Sequence, residues 1–293
     1  MTQTIRLEAG GSAAEIALVG AEPMSWQIDG RELLWSGDPE HWSYRAPILF
    51  PVVGASLGGA LRVDGRLYPM PQHGFARLST FTLVEQDGAS ARLRLTATEE
   101  TLARYPFRFF RLDVVVRLAP QSLSLEFEVA NLDTREMPYA LGFHPAFPWP
   151  LTAGSRDGHR VVFEAEEECT VPEVAAGGLL ARSRRAVPLD GRVLPLYPAM
   201  FSEALVFLDA RSRAFSFESP DGAAIGMAVE GFPHLAVWSR PTAPFLSLEA
   251  WTGHADWEDA DGDLASRDSM IRLPPGEMRR QAVTLTWREP ASP

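Results

Sequence analysis

The stretch Ser-Leu-Ser-Leu-Glu-Phe-Glu-Val at 122–129 alternates without a break, setting Leu123, Leu125, Phe127 and Val129 against Ser122, Ser124, Glu126 and Glu128. A period of two places one face on a core and the other toward water, as an antiparallel sheet requires. The same period recurs at Leu93, Leu95 and Ala97, at Phe215 and Phe217, and at Val283, Leu285 and Trp287. Asp-Gly pairs punctuate these runs at 29–30, 64–65, 87–88, 190–191 and 221–222, and that dipeptide suits the positive φ angles of tight hairpins. Ser-Pro-Asp-Gly at 219–222 is the clearest of them, and a strand is expected at 61–69. With 24 prolines and 23 glycines, nearly every helical stripe is interrupted. The expected fold is all-β, a large antiparallel β-sandwich whose loops carry the chemistry.

Neither an internal repeat nor a flexible linker divides the 293 residues. One domain covering residues 1–293 is expected, with long surface connections at 150–160 and 172–192 and fraying at 289–293. Hydrophobic residues at 46% are enough for a full core, while a net charge of −11 argues against nucleic acid, which demands a basic footprint. Cys169 is the only cysteine, so an internal disulfide and a cysteine zinc site are excluded; it reads as a small apolar filler.

The chain contains no lysine, so each of its 27 basic residues is arginine, which excludes a Schiff-base aldolase, a pyridoxal-phosphate linkage and a P-loop. No apolar run approaches the roughly 20 residues of a membrane span, and no basic start leads into an apolar stretch. A cytoplasmic protein without a membrane partner is expected, as monomer or homodimer. His41, His159, His234 and His254 lack metal-ligand spacing, and an EF-hand register on the acidic segment 256–263 puts Trp257 at the first ligand position. No metal and no cofactor are expected.

Three separated motifs set ionisable side chains beside glycine, proline or aromatics: Gln-His-Gly-Phe-Ala-Arg at 72–77, Gly-Phe-His-Pro-Ala-Phe at 142–147 and Leu-Glu-Ala-Trp-Thr-Gly at 248–253. They carry His73, His144 and Glu249, and two imidazoles plus a carboxylate suffice to move protons between oxygen atoms at neutral pH. Alternation through Phe-Leu-Ser-Leu-Glu points Glu249 to the same face as Phe245 and Ser247, in an apolar strand where a carboxylate is costly without a purpose or a partner. Pro145 biases His144 toward extended backbone, and the aromatics around it dry the site. Phe143 and Trp251 are candidates for the apolar face of a sugar. Glu203 is a candidate for holding a histidine or a substrate hydroxyl, and Arg45 and Arg77 for clamping a hydroxyl or an anionic group.

On these motifs and their order, with Ala-Pro-Ile-Leu-Phe-Pro-Val-Val-Gly at 46–54 and Leu-Pro-Pro-Gly-Glu at 273–277, the chain resembles the aldose 1-epimerase (galactose mutarotase-like) family. The likeness is to its bacterial branch of LacX-like and hexose-phosphate mutarotase-like members. The resemblance implies a single supersandwich with an open sugar cleft, His144 as general acid, Glu249 as general base and His73 as a helper near the ring oxygen. Two departures stand out. Glu203 occupies the place where LacX-like members often carry Asp, and Ala-Ser-Leu-Gly-Gly follows Gly54 where relatives often carry a basic residue.

The implied activity is interconversion of the α and β anomers of a free hexose. The alternatives are a hexose-6-phosphate 1-epimerase with Arg45 and Arg77 on the phosphate, a glycosidase using Glu203 and Glu249, and a non-catalytic carbohydrate-binding protein. Reference pKa values of about 4.3 for Glu and 6.5 for His leave a carboxylate and an imidazolium only a narrow common window. A histidine raised by Glu249 or Glu203 and a bell-shaped pH profile are therefore expected.

Overall fold

In a computed structural model, which describes residues 3–291, the alternating runs assemble as antiparallel strands. Nine of them form the larger sheet, with Ser122–Asn131 between Phe110–Ala119 and Met278–Arg288. Leu125 lies opposite Val116 on one side and Val283 on the other, and Leu123, Leu125, Phe127 and Val129 are all fully buried. The opposite face holds charge rather than bare solvent. Arg92 bonds Glu128 at 2.7 Å and Arg94 bonds Asp113 at 2.7 Å, so both carboxylates are buried under arginines.

A second sheet runs Leu205–Phe207, His234–Trp238, Phe245–Trp251, Gly142–Phe143, Ile48–Leu49, and Ala146–Pro148 also pairs with Phe245–Trp251. It packs on the first through side chains such as Phe143, whose ring lies 6.1 Å from that of Phe127. A four-stranded sheet formed by residues 4–32 adds to the same apolar cluster, which extends from Ile5 to Trp287. The architecture is the all-β, antiparallel sandwich expected from the alternation. Helix is confined to short turns, such as Glu99–Leu102 with its Thr98 cap. None of the helices among the described residues is long and apolar enough to cross a membrane.

The Asp-Gly turns follow their chemistry. Asp29 and Gly30 have φ of 48° and 80°, and Asp64 and Gly65 have 50° and 76°, the double positive φ of a two-residue hairpin. The second turn divides the strand expected at 61–69 into Ala60–Val63 and Arg66–Pro69. The expected connection at 172–192 is likewise corrected, because it contains the hairpin Thr170–Val174 and Leu180–Ala186. Its alternation is masked by Arg182, Ser183, Arg184 and Arg185, which are polar on both faces.

Cys169 is exposed, not an apolar filler. Of the tail expected to fray, 292–293 lie outside the described residues, while Ala291 N–H donates to Asp221 O at 2.9 Å.

Candidate active site

The strand Phe245–Trp251 is buried along its whole length, yet its two faces differ. Leu246, Leu248 and Ala250 enter the main core, while Phe245, Ser247, Glu249 and Trp251 face the other way. Opposite lies the broken strand 142–148. Phe143 pairs with Ala250 and Ala146 with Ser247, so the common register sets His144 across from Glu249. Pro145 has no N–H to give and interrupts the ladder there. The His144 N–H turns instead to Pro47 O at 3.1 Å.

His144 Nε2 stands 3.2 Å from Glu249 Oε2, and the Trp251 indole N–H donates to the same oxygen at 3.0 Å. No arginine pairs with Glu249 among the described residues. Burial drives the Glu249 carboxyl well above the ordinary carboxylate range, only partly opposed by the Trp251 hydrogen bond. Burial, and then the neighbouring His73 and Arg77, push His144 well below the ordinary histidine value. This runs against the expectation of a raised histidine: burial presses His144 and Glu249 each toward its neutral form.

His73 reaches the site from a tight loop. Gly74 lies so close to Phe50 that a Cβ there would sit 2.1 Å from the Phe50 carbonyl oxygen, and His73 itself has φ of 67°. The Gly54 N–H donates to His73 Nδ1 at 3.1 Å; since a backbone N–H can only donate, the ring proton sits on Nε2. Burial first and the Arg77 charge second lower its pKa to about 3, so His73 is a neutral N–H donor. The Gly54 segment is in turn held by a buried ion pair, Arg267 to Asp256 at 2.9 Å, with Arg267 also donating to Val53 O and Asp256 accepting from Leu57 N–H.

These groups open on a cleft of about 340 Å³, within the range of small-molecule sites. Trp42 stacks on the His144 ring at 4.8 Å and Trp238 meets its face edge-on at 5.5 Å, forming an aromatic wall. Arg77 lines the cleft over the Tyr44 ring at 4.7 Å, and Arg240 lines it beside Trp238 at 5.8 Å. Glu203 is on the other side. It accepts the Val174 N–H at 3.2 Å and sits 4.0 Å from Arg185, holding no histidine.

Two candidates lie elsewhere. Phe143 is the strand neighbour of His144, so its side chain must point to the opposite face, into the core. Arg45 turns away to donate to Ser36 O and Met24 O, both at most 2.8 Å, while the buried Glu22 caps its backbone N–H. Trp42, Trp238, Arg240 and Ser247 were missed from the sequence. Only Ser247 had a signal, as the polar residue sharing a face with Glu249 in an apolar strand.

The fold and the cleft together define a β-sandwich protein whose buried His144–Glu249 contact lies against an aromatic wall. The aldose 1-epimerase family model matches residues 3–194. The LacX proteins of Lactococcus lactis subsp. lactis, plasmid and chromosomal, are each 33% identical over 276 residues, covering 88% of this chain and 90% of theirs. A galactose mutarotase-like protein from Lactobacillus casei superposes with a TM-score of 0.91 at 29% identity, over 98% of this chain and 100% of its own. A galactose mutarotase related enzyme from Lactobacillus acidophilus gives 0.91 at 26% identity, over 99% of each chain. The chain belongs to the aldose 1-epimerase family.

Proposed function

We propose that the protein is an aldose 1-epimerase that interconverts the α and β anomers of a free hexose. The observation that carries this reading is the 3.2 Å contact between His144 Nε2 and Glu249 Oε2 in a dry recess open to the cleft. Moving the shared proton across that contact gives a carboxylate beside an imidazolium. The carboxylate then takes the proton of the C1 hydroxyl while His144 donates its Nε2 proton to the ring oxygen. The bond from C1 to the ring oxygen breaks as the C1 carbonyl forms. Rotation about C1–C2 and reversal of both transfers closes the other anomer.

His73, fixed as an Nε2–H donor, supplies a hydrogen bond to a sugar oxygen without entering the proton count. Trp42 and Trp238 suit the apolar face of the ring, and Glu203 suits a hydroxyl. Positioned acid and base groups are each worth about 10²–10⁴ in rate, which is ample for this reaction without a cofactor.

A hexose-6-phosphate 1-epimerase is the second reading. It is favoured by Arg77 and Arg240, which both line the cleft, Arg77 over the Tyr44 ring and Arg240 beside Trp238. Polarimetry of freshly dissolved α-D-glucose, α-D-galactose and glucose 6-phosphate distinguishes the two. Faster equilibration of the free sugars supports the first reading, and acceleration of the phosphate alone replaces it with the second. Binding without acceleration of any sugar contradicts both in favour of a carbohydrate-binding protein.

A further inference from the structure

We propose that Ser247 is a positioning residue of this site: its hydroxyl holds His144 in the tautomer that turns a bare Nε2 toward Glu249, so that acid and base carry one proton between them. The role in turnover rests on the aldose 1-epimerase reading; the tautomer does not.

The geometry is a chain of three groups. Ser247 Oγ lies 2.7 Å from Pro145 O and 2.8 Å from His144 Nδ1, and Ser247 is fully buried, out of reach of bulk water. A serine hydroxyl has one proton to donate. Given to Nδ1, it would leave two oxygen lone pairs facing each other at 2.7 Å. Given to the Pro145 carbonyl, it leaves an Oγ lone pair for an Nδ1–H. The second arrangement satisfies all three atoms, and it places the proton of the neutral ring on Nδ1. Nε2 is then an acceptor, and its contact with Glu249 becomes a hydrogen bond only through a proton from the carboxylic acid or through protonation of the imidazole.

The charged and titratable groups facing His144 agree with that count. Burial first, with the Arg77 charge beside it, opposes a second proton on the ring, and burial favours the protonated form of Glu249. Ring opening leaves the count unchanged. The C1 hydroxyl proton passes to Glu249 and the Nε2 proton to the ring oxygen, so the pair holds one proton before and after. The site is thereby ready to close either anomer. The sequence supplies this device by spacing alone, since Ser247 and Glu249 are two residues apart on one strand face and flank His144 from across the ladder.

The test is long-range ¹⁵N–¹H spectroscopy of histidine-labelled, sugar-free protein, with the His144 signals identified by their loss in His144→Asn. The wild type is expected to show His144 protonated at Nδ1. Ser247→Ala is expected to lose that pattern and to lower kcat for aldose mutarotation at least about tenfold with KM within about twofold, since a wrong tautomer disables an acid–base histidine. Ser247→Thr, which keeps the hydroxyl, is expected to restore both. A wild-type His144 protonated at Nε2 overturns the proposal with no variant needed, and so does a Ser247→Ala protein with unchanged tautomer and kcat. Absence of mutarotation by the wild type contradicts the aldose 1-epimerase reading instead, while the wild-type tautomer still decides what Ser247 does.

Discussion

His144 Nε2 and Glu249 Oε2 face each other at 3.2 Å across two antiparallel segments. Because each group is pressed toward its neutral form, a second proton enters only by charging His144 and the first leaves only by ionising Glu249. The rate of anomer exchange is therefore expected to follow a bell whose acid limb lies below the ordinary histidine value of about 6.5. Initial rates from pH 4 to 10 check this, and an acid limb at or above 6.5 contradicts the neutral resting pair.

Acid should also loosen the fold. His73 titrates at about 3 and His234 at about 4, both because burial penalises the cation. Between about 6.5 and those values the unfolded chain binds more protons than the native one, so stability falls as pH falls. Each histidine is expected to remove about 2 kcal/mol between pH 7.5 and 5. Urea midpoints at the two pH values measure the difference, and equal midpoints contradict it.

Gly74→Ala and Gly30→Ala separate backbone strain from collision. Both glycines have positive φ, but a Cβ at 30 meets nothing within 4 Å whereas one at 74 meets the Phe50 carbonyl at 2.1 Å. Gly30→Ala is expected to cost about 1 kcal/mol and leave activity alone. Gly74→Ala must displace the loop that carries His73, so it is expected to lose about 2 kcal/mol or more together with most of kcat. Thermal midpoints and polarimetry on the two variants decide the matter; matching losses in both would mean that the close approach is not what positions His73.

The sandwich was legible because its strands have one wet face, as at 122–129, and because Asp29-Gly30 and Asp64-Gly65 announce their own turns. The face of Glu249 followed from the same alternation. Alternation carried further would also have turned Phe143 into the core, since it neighbours His144 on a strand. What stayed hidden depends on long-range register. Nothing in the sequence around residue 144 says that it will lie opposite 249, or that Trp42 and Trp238 will converge on one imidazole. Arg45 looked free because its partners, the Ser36 and Met24 carbonyls, are backbone atoms without a sequence signature. The histidine shift was hidden for a related reason: a neighbouring carboxylate raises an imidazole only while it is ionised, and full burial of Glu249 disfavours that charge.

In the proposed reaction Glu249 exchanges protons with the anomeric hydroxyl. Glu249→Gln keeps the shape but cannot take a proton, and its amide cannot at one atom both donate to His144 Nε2 and accept the Trp251 N–H. Polarimetry of fresh α-D-glucose and α-D-galactose should show fast equilibration with the wild type and a loss of about 10²–10⁴ in the variant, with sugar binding retained. A variant that equilibrates the sugars as fast as the wild type would contradict the account.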